Sequence, residues 1–472
     1  MSADGEERRL HVFALETRDS ARMRGLSSFQ WASAIVFGLV VALGLAFRAE
    51  HVGTAALIAA HTAFGFSAAW RIVMAVASLK PSPIAPEPAR LPSYAVLVAL
   101  HDESEVVPQL VSALSRIDYP GHLLEGFLLL ETHDQATREA IEAVTLPAWL
   151  RVLVVPPGSP TTKPRALNYG LARCRADLVT VYDAEDRPHP LQLREAAARF
   201  SGDVSRRLAC LQAPLRVLRV GPSKSPMFDR QFALEYAALF EVMLPGLARL
   251  GLPFPLGGTS NHFRADVLRA IGGWDAHNVT EDADLGFRLH REGWRMDVIT
   301  RATIESPPGD LQDWLPQRVR WMKGFMQTWG VHTRRPWTLG ARGGLSLVMT
   351  LGMALAAAAA HAPSVAWVTA SVLVAAVMGL APATPPGAMA ILTCGMVCAW
   401  LTIGIGARRA GLRCGLRAMI ESPAYWSILT LAFGHAVWRL ISEPFLWDKT
   451  RHRPDVVPDA GPEGSARPIS IR

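Results

Sequence analysis

Hydrophobic residues fall unevenly along the chain, in long uncharged runs near both ends and in short runs through the middle. From Phe29 to Phe47 it reads FQWASAIVFGLVVALGLAF, uncharged and long enough to span a bilayer as a helix. A second run, Gly53 to Trp70, is followed by Arg71, read as a snorkelling anchor at a helix end rather than a pathway residue. A long polar stretch precedes the first run and no small-residue cleavage site follows it, which argues against a signal peptide. After Gly340, the runs Gly344–Ala360, Ser364–Leu380, Gly387–Ile405 and Tyr425–Ile441 predict four further spans, giving about six.

Between Leu91 and about Thr338 the period changes. YAVLVAL (Tyr94–Leu100) predicts a buried strand, and Glu105–Arg116 a helix with Val106, Leu110, Val111 and Leu114 on one face. Phe127–Glu131 predicts the second strand and Thr137–Val144 its helix; Arg151–Val155 predicts the third strand. Pro164–Cys174 reads as helix and Leu178–Asp186 as a strand ending in acids. Such alternation predicts a mostly parallel sheet covered by helices, with ligands beyond the C-terminal strand ends.

Acidic residues fall at those ends: Asp102 and Glu103, then Glu131 and Asp134, then Asp183, Glu185 and Asp186. Each alone reads first as a turn or cap carboxylate. Together on one rim they point to a divalent cation and a polyanionic ligand. Asp183 and Glu185, two apart after a buried strand, can converge on a hard cation, Mg²⁺ or Mn²⁺. In TEDADLG (Thr280–Gly286), Glu281 and Asp282 open a helix; they read as dipole-favoured acids or, with Asp282, as a general base. QRVRW places Gln317, Arg320 and Trp321 within about one helical turn, Arg320 suited to a diphosphate and Trp321 to a sugar ring or a membrane interface. The WMKGFMQTW that follows predicts an interfacial helix.

Composition and charge sharpen the class. Half of the 472 residues are hydrophobic and only 19% are charged, too apolar for a soluble enzyme of this length. The net charge of +7 gathers into no stripe with interleaved aromatics, so it predicts membrane orientation and no nucleic-acid partner. Arg18, Arg22 and Arg24 precede the first span and only Arg48 follows it, which puts the N-terminus and, after two spans, the middle domain in the cytoplasm. Arg408, Arg409, Arg413 and Arg417 conflict with this: four late crossings would leave them outside, unless one late segment lies along the interface. Five cysteines form no CxxC and support neither a zinc site nor a disulfide framework.

ALHDE, LETHDQAT, TKPRALNYG, VYDAED, LGGTSNHFR, GGWDAHNVTEDADLG, QRVRWMKGFMQTW and PFLWDKTRH occur in that order. In this the chain resembles a membrane-embedded family 2 glycosyltransferase of the cellulose and hyaluronan synthase superfamily, in the bacterial branch of XagB-type and curdlan-synthase-like polysaccharide synthases. The resemblance runs from about Leu91 to His452. It implies an α/β GT-A (Rossmann-like, nucleotide-sugar-binding) catalytic domain plus an α-helical transmembrane region in a bacterial inner membrane. The domains are then 1–80, a cytoplasmic tail and two spans; 81–340, the cytoplasmic catalytic domain ending in an interfacial helix; 341–446, the late spans; and 447–472, a polar cytoplasmic tail.

The resemblance also implies inverting hexosyl transfer with Mg²⁺ or Mn²⁺, from UDP-glucose or UDP-N-acetylglucosamine to a glycan or lipid acceptor at the bilayer. By its motifs Asp282 is the base, and Glu131, Asp134, Lys163, Asp183, Gln317 and Arg320 bind donor. Gly258, Thr259, Ser260, Glu281 and Trp321 bind acceptor, with Gly257 in the same loop, and Asp183 and Glu185 hold the metal. Departures are DAED in place of DxD, His133 where relatives often carry an acid, and Pro307 and Pro308 in ESPPGD, a stretch usually acidic and helical. No PilZ-type module is expected after the last span. Three activities fit: a processive β-glycan synthase, a non-processive glycolipid-forming enzyme, and a transporter whose domain only binds nucleotide.

Overall fold

The computed structural model describes residues 15–80, 85–219, 223–381 and 386–446. The expected tail 447–472 and most of PFLWDKTRH lie outside the described residues.

In the middle of the chain, seven strands form one mixed sheet in the order β3 (Leu150–Val155), β2 (Leu124–Glu131), β1 (Tyr94–Leu100), β4 (Leu178–Tyr182), β8 (Asn261–Arg264), β6 (Leu208–Gln212), β9 (Arg295–Val298). The first four run parallel; β8 is antiparallel to both its neighbours. A smaller sheet joins β5 (Arg187–Pro188), β10 (Thr303–Glu305) and β7 (Leu215–Val217). Alternate residues of β1 point to opposite faces, so each face builds its own core. Tyr94, Val96 and Val98 pack with the helices α2 (Val107–Ser115) and α5 (Gln192–Ser201); Ala95 and Leu97 pack with α4 (Lys163–Leu171) and α6 (Pro226–Ala238). The expected strands and helices of this half are all present, with ends displaced by a few residues. For example, the helix expected at Thr137–Val144 is α3 (Gln135–Glu142), started by Asp134.

The apolar runs differ more from expectation. The first two are arms of one helical element, α1 (Ser28–Ala77), broken at Arg48, whose backbone leaves helical geometry (φ −152°, ψ 54°). A Cβ on Gly44 would come within 2.7 Å of a Val52 methyl, although eight residues rise about 12 Å along a straight helix. The chain therefore turns back at Arg48, and both ends of α1 reach the α/β domain. Gln30 donates to Gly330 O (2.8 Å), and Gly246, in α7 (Leu244–Arg249), packs on the backbone of Met74.

The expected spans Gly344–Ala360 and Ser364–Leu380 are not separate. One helical stretch runs through α11 (Gly340–Leu347), a π-turn and α12 (Met353–Met378), and stops at Gly379 in the left-handed region (φ 65°). Pro363 lies inside α12, where Thr430 accepts from Ala362 N (3.3 Å) and His361 lies 3.3 Å from Pro423 O. Neighbouring-helix contacts of this kind let an apolar helix carry a proline.

Two late helices follow, α13 (Pro386–Arg409) and α14 (Leu416–Ser442). The expected span Tyr425–Ile441 belongs to α14, which lies along the motif-bearing helix α10 (Leu311–Thr333). Trp314 donates to Tyr425 Oη (3.0 Å), Val319 and Met322 pack on Ala432 and Ala436, and Lys323 donates to Leu446 O (2.7 Å). Among the described residues three helices are long and apolar enough to cross a membrane: Ser28–Ala77, Pro336–Met378 and Gly387–Arg409. The arginine-rich loop between α13 and α14 sits against the α/β domain. Arg409 donates to Glu241 O (2.6 Å) and Ser78 Oγ (3.0 Å), and Glu421 is held by Arg417 (2.9 Å) and by Arg230 (2.7 Å).

Candidate active site

A cavity of about 250 Å³ opens at the C-terminal ends of β1 and β4. Its walls are the first turn of α4, the 257–259 loop, the start of α9 (Glu281–Arg291), the end of β10, and α10. Gly324 brings α10 against the α9 cap: any Cβ there would overlap the Thr280 side chain.

At the β4 end, Asp183 and Glu185 line the cavity, while Asp186 turns inward and is 1% exposed. Asp186 Oδ2 accepts from Asp183 N (2.7 Å) and from the Thr259 hydroxyl. Its Oδ1 has no hydrogen-bond partner among the described residues. Burial, and then the charges of Asp183 and Glu185, push the Asp186 carboxyl well above the usual range. The same two causes raise Glu305, which reaches the cavity from β10, with Asp186 its largest charged neighbour. Lys163 enters from α4, ion-paired to Asp183 and donating to Gly258 O (2.7 Å). Burial opposes its charge, but Asp183, Glu281 and Asp282 hold its pKa above the usual lysine value. A dense set of hard oxygen donors with an unmatched buried oxygen fits a divalent cation.

Opposite lie Glu281 and Asp282, in the first turn of α9. Burial raises both carboxyls, Asp282 to about 6, while the charges of Lys163 and Arg320 pull them down. A Cβ on Gly258 would stand 3.5 Å from Asp282 Oδ2, in ordinary contact, so the 257–259 loop lies directly beside that carboxylate. Two residues on, Asp284 is clamped by Arg288 (2.6 Å) and His332 (3.0 Å). Although buried, these partners draw its carboxyl down to about 2.

From α10, Gln317, Arg320 and Trp321 face the cavity. Gln317 Oε1 is buried without a hydrogen-bond partner among the described residues. The Trp321 ring is set by Phe232 and Tyr236 (centroids 6.3 and 6.1 Å) and by the Arg318 guanidinium 4.4 Å away, which Glu235 pins (2.7 and 2.8 Å).

The cavity thus brings together Glu131, Lys163, Asp183, Glu185, Gly257, Gly258, Thr259, Glu281, Asp282, Gln317, Arg320 and Trp321. Two expected residues stand apart. Asp134 caps α3, accepting from Thr137 N (3.1 Å) and Asp102 N (2.6 Å), and is not in the cavity wall. Ser260 is fully buried in the left-handed region (φ 56°) with its hydroxyl 2.6 Å from that of Thr303. Glu131 is in the wall, but both its oxygens accept from Arg165 (2.9 Å each). Sequence reasoning passed over Glu305 as a donor to the acidic cluster; it closes β10, and a strand-end acid was the signal that found the others. His101 and Tyr236, also in the wall, carried no such signal.

A sequence profile described as "Glycosyltransferase like family 2" matches residues 92–324. The beta-monoglucosyldiacylglycerol synthase of Synechocystis sp. is 25% identical over 243 residues, 50% of this chain and 48% of that one. The cellulose synthase catalytic subunit [UDP-forming] of Xanthomonas axonopodis pv. citri is 25% identical over 251 residues, 52% of this chain and 33% of that one. The chain thus spans about half the length, or less, of these relatives. Among solved structures, a mannosyltransferase from Pyrobaculum calidifontis in complex with GDP-Man and Mn²⁺ superposes with a TM-score of 0.49 at 16% identity, covering 82% of this chain and 97% of that one. The profile takes in all of β1 to β10 and the first half of α10, so the chain carries a family 2 glycosyltransferase domain.

Proposed function

We propose that the protein is an inverting glycosyltransferase that moves a hexose from a UDP-sugar, UDP-glucose or UDP-N-acetylglucosamine, to a growing β-linked polysaccharide at the cytoplasmic face of a bacterial inner membrane. In this reading it belongs to the XagB-type and curdlan-synthase-like branch, and transfer is processive and coupled to export. The observation that carries it is one cavity holding a raised buried carboxylate, Asp282, across from an acidic cluster and Lys163, with Gln317, Arg320 and Trp321 closing the side.

Asp282 takes the proton of the acceptor hydroxyl as its oxygen attacks the anomeric carbon. The bond from that carbon to the diphosphate breaks, and the nucleoside diphosphate leaves with the electron pair. Arg320 grips the diphosphate and Gln317 offers its unmatched Oε1 to a sugar hydroxyl; Trp321 stacks on the acceptor ring. A Mg²⁺ or Mn²⁺ held by Asp183 and Glu185 would offset the charge on the leaving group. Attack from the face opposite the diphosphate turns an α-linked donor into a β-linked product.

Membrane placement gains support from the corrected helix count. With the expected spans Gly344–Ala360 and Ser364–Leu380 merged into one, only α12 and α13 would cross before the loop, so Arg408, Arg409, Arg413 and Arg417 fall on the catalytic side, as the positive-inside rule asks. A second reading, transfer to a membrane lipid, is favoured by Leu215, Leu239, Leu256 and Phe325 in the same cavity wall. The test supplies inverted membrane vesicles containing the protein with labelled UDP-glucose or UDP-N-acetylglucosamine and Mg²⁺ or Mn²⁺. Label in high-mass polymer is expected; label confined to the lipid extract would replace the first reading with the second.

A further inference from the structure

Lys163 is placed where a metal ion would compete with it. It is the first residue of α4, its side chain is 14% exposed, and its ammonium bonds both Asp183 Oδ1 and the carbonyl of Gly258. A divalent ion on Asp183 would lie against that ammonium, and like charges so close repel strongly in a partly desolvated site. The bond to Gly258 O also ties the 257–259 loop, next to Asp282, to the same lysine. One ammonium therefore bonds both Asp183 and the Gly258 loop, and its charge also reaches Asp282.

We infer that Lys163 is a built-in cation that keeps the carboxylate site closed at rest, so that a divalent ion binds well only when an anionic diphosphate draws the ammonium off Asp183. The same movement releases Gly258 O, so donor arrival and freedom of the acceptor loop become one event. Lys163 is thus a positioning residue for the ion, acting through Asp183. This rests on the metal reading of Asp183 and Glu185 above.

The test is Mn²⁺ binding to the purified full-length protein in detergent, followed by electron paramagnetic resonance, alone and with UDP. Wild type is expected to bind Mn²⁺ weakly alone and markedly tighter with UDP. Lys163→Met and Lys163→Gln, whose amide can still donate to Gly258 O, are expected to bind Mn²⁺ about tenfold tighter alone, and to gain less from UDP. Lys163→Arg, which keeps the charge, is expected to behave as wild type. Unchanged or weaker binding by both neutral variants overturns the inference and leaves the metal reading standing. No Mn²⁺ bound by wild type with UDP, beyond what UDP alone removes from the free-ion signal, overturns both.

Discussion

The β2 and β4 strand ends carry the same kind of residues and put them to different use. After β2, Glu131 is neutralised by a two-bonded contact with Arg165, and Asp134 is spent on two backbone amides. After β4, Lys163 meets Asp183, yet Asp186 keeps an unmatched oxygen; burial and the charges of Asp183 and Glu185 raise its carboxyl, and burial and the charge of Asp186 raise that of Glu305. In the proposed reading, carboxylates already balanced by the protein serve the fold, and those left short of positive charge serve a ligand. The contrast recurs within one turn of α9, where Asp284 is held to about 2 by Arg288 and His332, and Asp282 is pushed to about 6.

The largest effect should come from Asp282→Asn, which keeps shape and removes the base. Transferase activity should fall by about 10²–10⁴-fold. Wild-type activity should fall as pH drops through about 6, where Asp282 takes up a proton. Stability should move the other way. A carboxyl with a raised folded pKa loses stability as pH rises from its unfolded value, about 3.9, towards the folded one. The asparagine variant should therefore melt higher than wild type near pH 7. Full activity in it would remove the base assignment.

Asp183→Asn tests the β4 end directly. Loss of a ligand to the proposed ion that offsets the leaving-group charge should cost about 10²–10³-fold in activity and abolish the response to added Mg²⁺ or Mn²⁺. If EDTA leaves wild-type activity intact, the comparison between the two strand ends loses its functional side.

Asp284→Asn should reverse the pattern of Asp282→Asn. Breaking a buried pair strands Arg288, at a cost of about 3–5 kcal/mol. Because the folded pKa is depressed, the stability Asp284 contributes is present above its unfolded pKa and is lost as pH falls towards about 2. Thermal melts from pH 7 downward should converge for wild type and variant; parallel curves would show that Asp284 is not held as an anion.

Much of this was legible in the chain because each signal is local. Buried apolar runs such as Tyr94–Leu100 ended in acids, and glycine, TED and QRVRW spacings needed no knowledge of distant contacts. What escaped was long-range or aperiodic. The pairing of Glu131 with Arg165 crosses 34 residues, and that of Glu305 with the β4 acids more than a hundred. A uniformly apolar run has no polar face to mark where a helix ends, so two spans, Gly344–Ala360 and Ser364–Leu380, are expected where one helix continues through Pro363 to Met378. Lying along α10, α14 buries Tyr425, Ala432 and Ala436, a pattern that also suits a span.

The smallest effect is also the sharpest discriminator at the β2 end. Asp134→Ala removes the α3 cap and the acceptor for Asp102 N, a residue held in the left-handed region (φ 52°). Burial opposes the Asp134 charge, but the bonds from Thr137 and Asp102 hold its carboxyl below the usual range, as expected of a cap. The cost should be about 0.5–2 kcal/mol of stability, read as a lower melting temperature. Activity should stay within about threefold, because a carboxylate outside the cavity wall adds no differential binding to the transition state. A donor KM raised more than about tenfold with an unchanged melt would instead be loss of ground-state binding. Asp134 would then return to the nucleotide, and balanced charge alone would not separate the two strand ends.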